Sequence, residues 1–201
     1  MGRRTPTGAA VLQPEITRSI TEAVLDELAD QGYARLSMEA VAKRAGVGKS
    51  ALYRRWPAKH DMVIAVVSEF SLDHAAVPDT GSLRGDVRAL LDAVFDWLTH
   101  PRFARILPDL VAESARNPAL REAITATIGL PRRERGVEVL RRAIDRGELA
   151  TDLDIELALD LLAAPLYWRQ SVRGASIEPG YLDTLAETLL RALQPPRGTQ
   201  Q

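Results

Sequence analysis

Apolar residues recur at helical spacing along nearly the whole chain, and β-branched runs are scarce. That is the period of amphipathic helices rather than of strands. Ile16, Ile20, Ala23, Val24, Leu28 and Ala29 mark a first helix, opened by Pro14 and ended by Gly32. Beyond Pro57, Lys59 and His60 open a helix whose apolar face is Met62, Val63, Val66, Val67 and Phe70. The stretch 77–82, Val-Pro-Asp-Thr-Gly-Ser, reads as a loop. Leu83, Val87, Leu90, Leu91, Val94, Phe95 and Leu98 form the next helix, which stops before His100-Pro101. A helix over 103–115 follows, with a kink expected at Pro108. Asn117-Pro118 supplies a cap and a first-turn proline for another, which continues through Pro131 and ends at Gly147. Asp152 or Asp154 caps a helix over 155–173 that is apolar on nearly every side, and 179–193 makes the last.

The stretch 37–61 differs in kind. Ser37 is a good N-cap, since its hydroxyl accepts an otherwise unpaired backbone N–H, and Glu39 adds favourable charge to the first turn. Ala40, Val41 and Ala45 give a packing face, and Gly46 can take positive φ at no steric cost and turn the chain. A second short helix starts near Gly48 and Lys49, and Pro57 stops it. Two short helices about a glycine turn are the sequence form of a helix-turn-helix, whose second helix enters the DNA major groove by its N-terminal end. Lys49, Ser50, Tyr53 and Arg54 are the residue types that meet phosphates or base edges, and Ala51 allows close approach. Leu52 and Trp56, four apart, point to the core.

The string Ala42-x-x-Ala45-Gly46-Val47-Gly48-Lys49-Ser50-x-Leu52-Tyr53-Arg54-Arg55-Trp56-x-x-Lys59-x-x-Met62, preceded by Gly32-Tyr33-x-x-Leu36-Ser37-Met38, resembles the signature of the TetR family of one-component transcriptional repressors. The resemblance covers roughly 16–67. Arg54 stands where that family often has histidine or tyrosine, and Trp56 where it often has phenylalanine. The resemblance implies an N-terminal three-helix DNA-binding domain and a C-terminal helical ligand-binding and dimerisation domain. It also implies a phosphate grip for Lys59. The expected DNA-contacting set is Ser37, Lys49, Ser50, Tyr53, Arg54, Lys59 and His60. Arg54 or Ser50 is the base reader, and His60 is either a phosphate contact or an exposed polar residue.

Charge supports that division. The whole chain is nearly neutral, at −1. Residues 1–60, however, hold ten Lys/Arg against six Asp/Glu, and the remainder sixteen against twenty-one. A positive end suits phosphate binding, whose affinity is largely electrostatic. Residues 1–13, with Arg3 and Arg4, read as a flexible basic arm, 14–60 as the DNA-binding domain and 61–201 as the regulatory domain. Without cysteine there is no disulfide, thiolate catalysis or cysteine-zinc site. No stretch of about 18 apolar residues exists to cross a bilayer, and no apolar signal core follows the first basic residues, so a cytoplasmic location is expected.

Other constellations fail. Gly48-Lys49-Ser50 ends like a phosphate-binding loop, but Lys43 stands where that loop needs glycine, and a helix precedes it instead of a strand. His60, His74 and His100 lack metal-ligand spacing, and no carboxylates sit in a catalytic frame, so no enzyme, metal or cofactor is expected. The arginines of 132–146 alternate with acids, as on a solvated, salt-bridged helix. Phe95, Trp97, Phe103, Leu107, Tyr167 and Trp168 are the expected lining of a small-molecule pocket between C-terminal helices. The last two helices carry more apolar surface than their own domain covers, and are read as a homodimer interface. The expected molecule is all-α: a homodimeric repressor that binds a palindromic double-stranded DNA operator and is released by a small-molecule effector. The alternatives are an activator, a non-specific nucleoid protein, or an all-α small-molecule-binding protein with a weak DNA-binding role.

Overall fold

The computed structural model describes residues 12–75 and 77–193. The described residues form ten α-helices and no strand. The expected basic arm, apart from residues 12 and 13, lies outside them, as do residues 194–201. The helices are α1 (Leu12–Arg35), α2 (Met38–Arg44), α3 (Lys49–Arg55), α4 (Lys59–Asp73), α5 (Leu83–Thr99), α6 (Phe103–Ser114), α7 (Pro118–Ile124), α8 (Leu130–Asp145), α9 (Ile155–Tyr167) and α10 (Tyr181–Leu193). Two π-helical segments, Thr125–Gly129 and Trp168–Val172, join α7 to α8 and extend α9. The first lies just before Pro131, whose ring would strike the carbonyl four residues back in a regular helix. Pro108 stands inside α6 without splitting it.

Local chemistry sets most of these boundaries. The Ser37, Ser82 and Asp154 side chains accept the N–H groups of Ala40, Gly85 and Leu157, and Asn117 Oδ1 accepts that of Leu120 at 3.1 Å. Each such cap contributes about 1 kcal/mol. Gly147, past the end of α8, has φ 76°.

The chain divides into two compact units, one of residues 1–70 with 105–124, the other of 71–104 with 125–201. In the first, α1 packs on α2 and α2 on α3. Ile20, Val24, Leu25 and Leu28 of α1 are buried, as are Val41, Leu52, Met62 and Val63. Burying each such side chain contributes about 1.5–3 kcal/mol. Gly32 breaks α1 with φ 76° and ψ 167°, a conformation essentially reserved to glycine. The break turns the Tyr33 N–H outward from the helix, where Asp109 accepts it at 2.7 Å.

In the second unit α5 is central, packed against α8, α9 and α10. The arginines of α8 are less solvated than their alternation with acids predicts. Arg132, Arg135 and Arg142 donate to the carbonyls of Ser71, of Leu72 and Ala75, and of Pro78, so they fasten the segment that leaves α4. Arg146 pairs with buried Asp86 at 3.0 Å and with Glu148 at 2.6 Å. Acids on the same helix signal a surface, but they do not reveal carbonyls 60 or more positions away in the chain.

Candidate nucleic-acid interface and ligand cavity

The interface begins with how α2 ends. The Val47 N–H reaches back to the Ala42 carbonyl at 3.0 Å and the Gly46 N–H to that of Lys43 at 3.3 Å. This is a Schellman cap, with Ala45 as last helical neighbour and Gly46 in the left-handed region at φ 67°. The turn it makes starts α3 at Lys49, with Gly48 at the N-cap position.

α3 has two faces. Leu52 is fully buried and anchors the helix. Lys49, Ser50, Tyr53 and Arg54, at positions i, i+1, i+4 and i+5, are exposed together on the other face. Trp56, expected in the core with Leu52, is half-buried. Lys49 Nζ lies 3.1 Å from Glu39 Oε1, and that hydrogen bond holds the Glu39 carboxyl below its usual range. Both side chains are solvent-exposed, so water and salt screen the pair. Arg54 and Arg55 enter no ion pair among the described residues, whereas Arg44 is held by Glu27 and Asp30 at 3.1 and 3.0 Å.

The remaining expected contacts lie around this face. Ser37 spends its hydroxyl on the α2 cap, accepting from Ala40 at 3.1 Å. His60 is half-buried at the start of α4. Lys59 donates to the Tyr33 carbonyl at 2.9 Å and stands 4.6 Å from the centre of the Tyr33 ring. Burial, and then the Glu113 and Asp61 carboxylates, push the Tyr33 phenol above its ordinary value.

A cavity of about 130 Å³ opens in the second unit among α5, α8 and α9. Leu90, Val94, Leu159 and Leu162 give it apolar walls, and the small residues Ala93 and Gly136 complete its lining. A methyl group on Gly136 would meet Leu159 Cδ2 at 2.5 Å, so glycine lets α8 and α9 approach. Arg132 and Arg133 supply the polar wall. Arg133 is neutralised by Asp160 at 2.7 Å and by Glu156. A larger groove between α5 and α10 is lined by pairs already made, Arg84 with Glu187 and Arg88 with Asp183.

None of the six residues expected to line a pocket lines this cavity. Phe103 is buried core, with its ring 4.5 Å from that of Trp97. Phe95 and Tyr167 are half-buried, and Trp168 is 58% exposed. Leu107, half-buried on α6, belongs to the other unit. Trp97 comes nearest, since the Arg132 guanidinium covers its ring at 4.0 Å. Aromatic residues were the visible signal in the sequence. The cavity lies instead beside Ala93, whose side chain is small, and where Gly136 lets α8 close on α9, and helical periodicity marks neither.

Comparison with known proteins fits this geometry. Residues 20–66 match the family model for bacterial regulatory proteins of the tetR family, and 77–189 the tetracyclin repressor-like C-terminal domain. The chain is 30% identical over 170 residues to the DNA-binding transcriptional repressor TetR of Mycobacteroides abscessus, covering 84% of this chain and 88% of that one. It is 26% identical over 183 residues to the uncharacterised HTH-type transcriptional regulator YdeS of Bacillus subtilis, covering 91% and 92%. The crystal structure of the TetR family transcription regulator SCO0332 superimposes with a TM-score of 0.71 at 29% identity, over 90% of this chain and all of that one. A helix-turn-helix with a polar outer face, two matched domain models and whole-length likeness lead to one conclusion: the chain belongs to the TetR family of DNA-binding transcriptional regulators.

Proposed function

We propose that this protein is a homodimeric transcriptional repressor that binds a palindromic operator and is released by a small molecule. The exposed set Lys49, Ser50, Tyr53 and Arg54 on the second helix of the helix-turn-helix carries this reading. Lys49, Tyr53 and Lys59 position the protein on phosphate, and Arg54 or Ser50 reads bases. For Lys59 this means exchanging, or adding to, its bonds with the Tyr33 and Ala34 carbonyls, as a three-donor ammonium allows. Residues 14–60 act as the DNA-binding domain and 61–201 as the regulatory and dimerisation domain, in the cytoplasm. Among the described residues no helix is long and apolar enough to cross a membrane.

Dimerisation is supported by an apolar stripe on α9 and its extension. Leu157, Trp168 and Val172 are 56%, 58% and 51% exposed, and Leu161 and Ala164 fall between them at helical spacing. A second copy of the chain, using α9 and α10, covers this stripe. Two reading helices then meet major-groove faces roughly 34–36 Å apart, or a multiple of that. An effector in the second unit that favours another spacing opposes DNA binding, and DNA opposes the effector by the same factor.

Footprinting and fluorescence anisotropy on DNA upstream of the protein's own gene, across a salt series, test the reading. The expected result is a protected palindrome and affinity that falls steeply with salt. Equal, weak affinity for every duplex would instead indicate a non-specific nucleoid protein, and increased transcription from the bound promoter an activator.

A further inference from the structure

We infer that the effector is a compact organic acid, with one ring or a short branched chain in the apolar cavity and its carboxylate on the Arg132 guanidinium. The inference rests on the ligand-responsive reading above and gives the ligand its chemical class.

Among the described residues Arg132 is a cation without a counter-charge. Its described partners are the Ser71 carbonyl, at 2.7 Å, and the face of Trp97, at 4.0 Å. No carboxylate lies within ion-pair distance of it among the described residues, whereas its neighbour on the cavity wall, Arg133, has two. A guanidinium carries five N–H donors in a planar fork, so most of the Arg132 fork is unused. Burial, and then the charge of Arg135, push its pKa down to about 10, which marks a desolvated cation beside a like charge. Such a group gains most from an anion brought to it.

Two further polar atoms nearby are also unsatisfied. Among the described residues the Ser71 hydroxyl and the Trp97 indole N–H are buried without hydrogen-bond partners; each belongs to a residue that touches Arg132, and neither residue lines the cavity. Buried donors without acceptors are uncommon, so the surroundings of Arg132 are short of acceptors. The rest of the cavity selects against highly polar ligands, because Leu90, Val94, Leu159 and Leu162 offer no hydrogen bonds. The planar fork of a guanidinium accepts a carboxylate through two parallel bonds. The volume, about 130 Å³, sets the size. An engineered apolar cavity of about 150 Å³ holds benzene.

The test uses the full-length protein with benzoate, phenylacetate and isovalerate, and with benzamide and benzyl alcohol as neutral counterparts. Calorimetry and thermal shift read binding, and anisotropy on the footprinted operator reads release. The acids are expected to bind, raise the melting temperature and release DNA, and the neutral counterparts to do none of these. Arg132→Met should weaken acid binding by about 10- to 100-fold, with operator affinity and helical circular dichroism retained. Arg132→Lys should recover part of it. Ala93→Phe, which fills the cavity and keeps the charge, should abolish binding of the ring acids. Should Arg132→Met not fold, the comparison of acid with amide on the unaltered protein decides the matter alone. Equal response to benzoate and benzamide, or no response to any acid at millimolar concentration, overturns the inference while leaving the repressor reading intact. Absence of operator binding overturns the repressor reading, whatever the acids do.

Discussion

The Asp109 carboxylate accepts the backbone N–H of Tyr33 at 2.7 Å, across 76 positions of chain. It sits where α1 breaks, and a Cβ on Gly32 would meet Asp109 Oδ1 at 2.7 Å. Lys59 takes the carbonyl of the same Tyr33 at 2.9 Å. One peptide-bonded residue, 6% exposed, is thus held at both backbone polar groups by side chains of other helices. A buried backbone group without such a partner costs as much as a lost hydrogen bond.

Gly32→Ala is expected to destabilise the protein by about 2 kcal/mol, because alanine is strained at φ 76° and ψ 167° and its methyl displaces Asp109. Urea unfolding measures it. Asp109→Asn keeps an acceptor for Tyr33 and should cost less than Gly32→Ala; the reverse order would mean that the Asp109 charge, not the backbone conformation at Gly32, carries the effect.

Acid should weaken the second unit through Asp86. This carboxylate is fully buried; burial works to raise its pKa, but the Thr80 backbone and side-chain bonds and Arg146 outweigh it and hold it below the usual range. A depressed folded-state value gives stability that is present above the unfolded value of about 3.9 and is lost as pH falls through the folded one. Asp86→Asn should therefore cost about 2 kcal/mol at pH 7. The gap to the unaltered protein should narrow as pH falls below about 4. A constant gap in unfolding experiments across that range would remove Asp86 from the explanation.

On DNA, Lys49→Ala should weaken binding to all sequences alike and lower the slope of log affinity against log salt by about 0.9. Arg54→Ala and Ser50→Ala separate the two candidate base readers. The true reader should lose about 1–3 kcal/mol on the operator and relax preference at one position. Anisotropy with single-base operator variants gives the answer.

Trp168→Glu, or Leu157→Glu, should raise the dimer dissociation constant by about 30-fold or more, since a charge replaces an exposed apolar anchor of the stripe. Sedimentation velocity over a dilution series measures it. An unchanged dimer would place the interface elsewhere.

The sequence carried the all-α fold, the helix ends set by local caps and the outward face of α3. Ser37, Gly46, Asn117 and Gly147 act on backbone groups within a few residues of themselves, and Lys49, Ser50, Tyr53 and Arg54 share a face because a helix turns every 3.6 residues. Such effects are local, so they can be read in order along the chain. Tertiary structure alone decided that Asp109 holds Tyr33, that the α8 arginines grip carbonyls of 71–78, and that Ala93 and Arg132 line one cavity. Those relationships join residues 60 or more positions apart, or arise where side chains are small, and packing in three dimensions is what brings such groups together or leaves space between them.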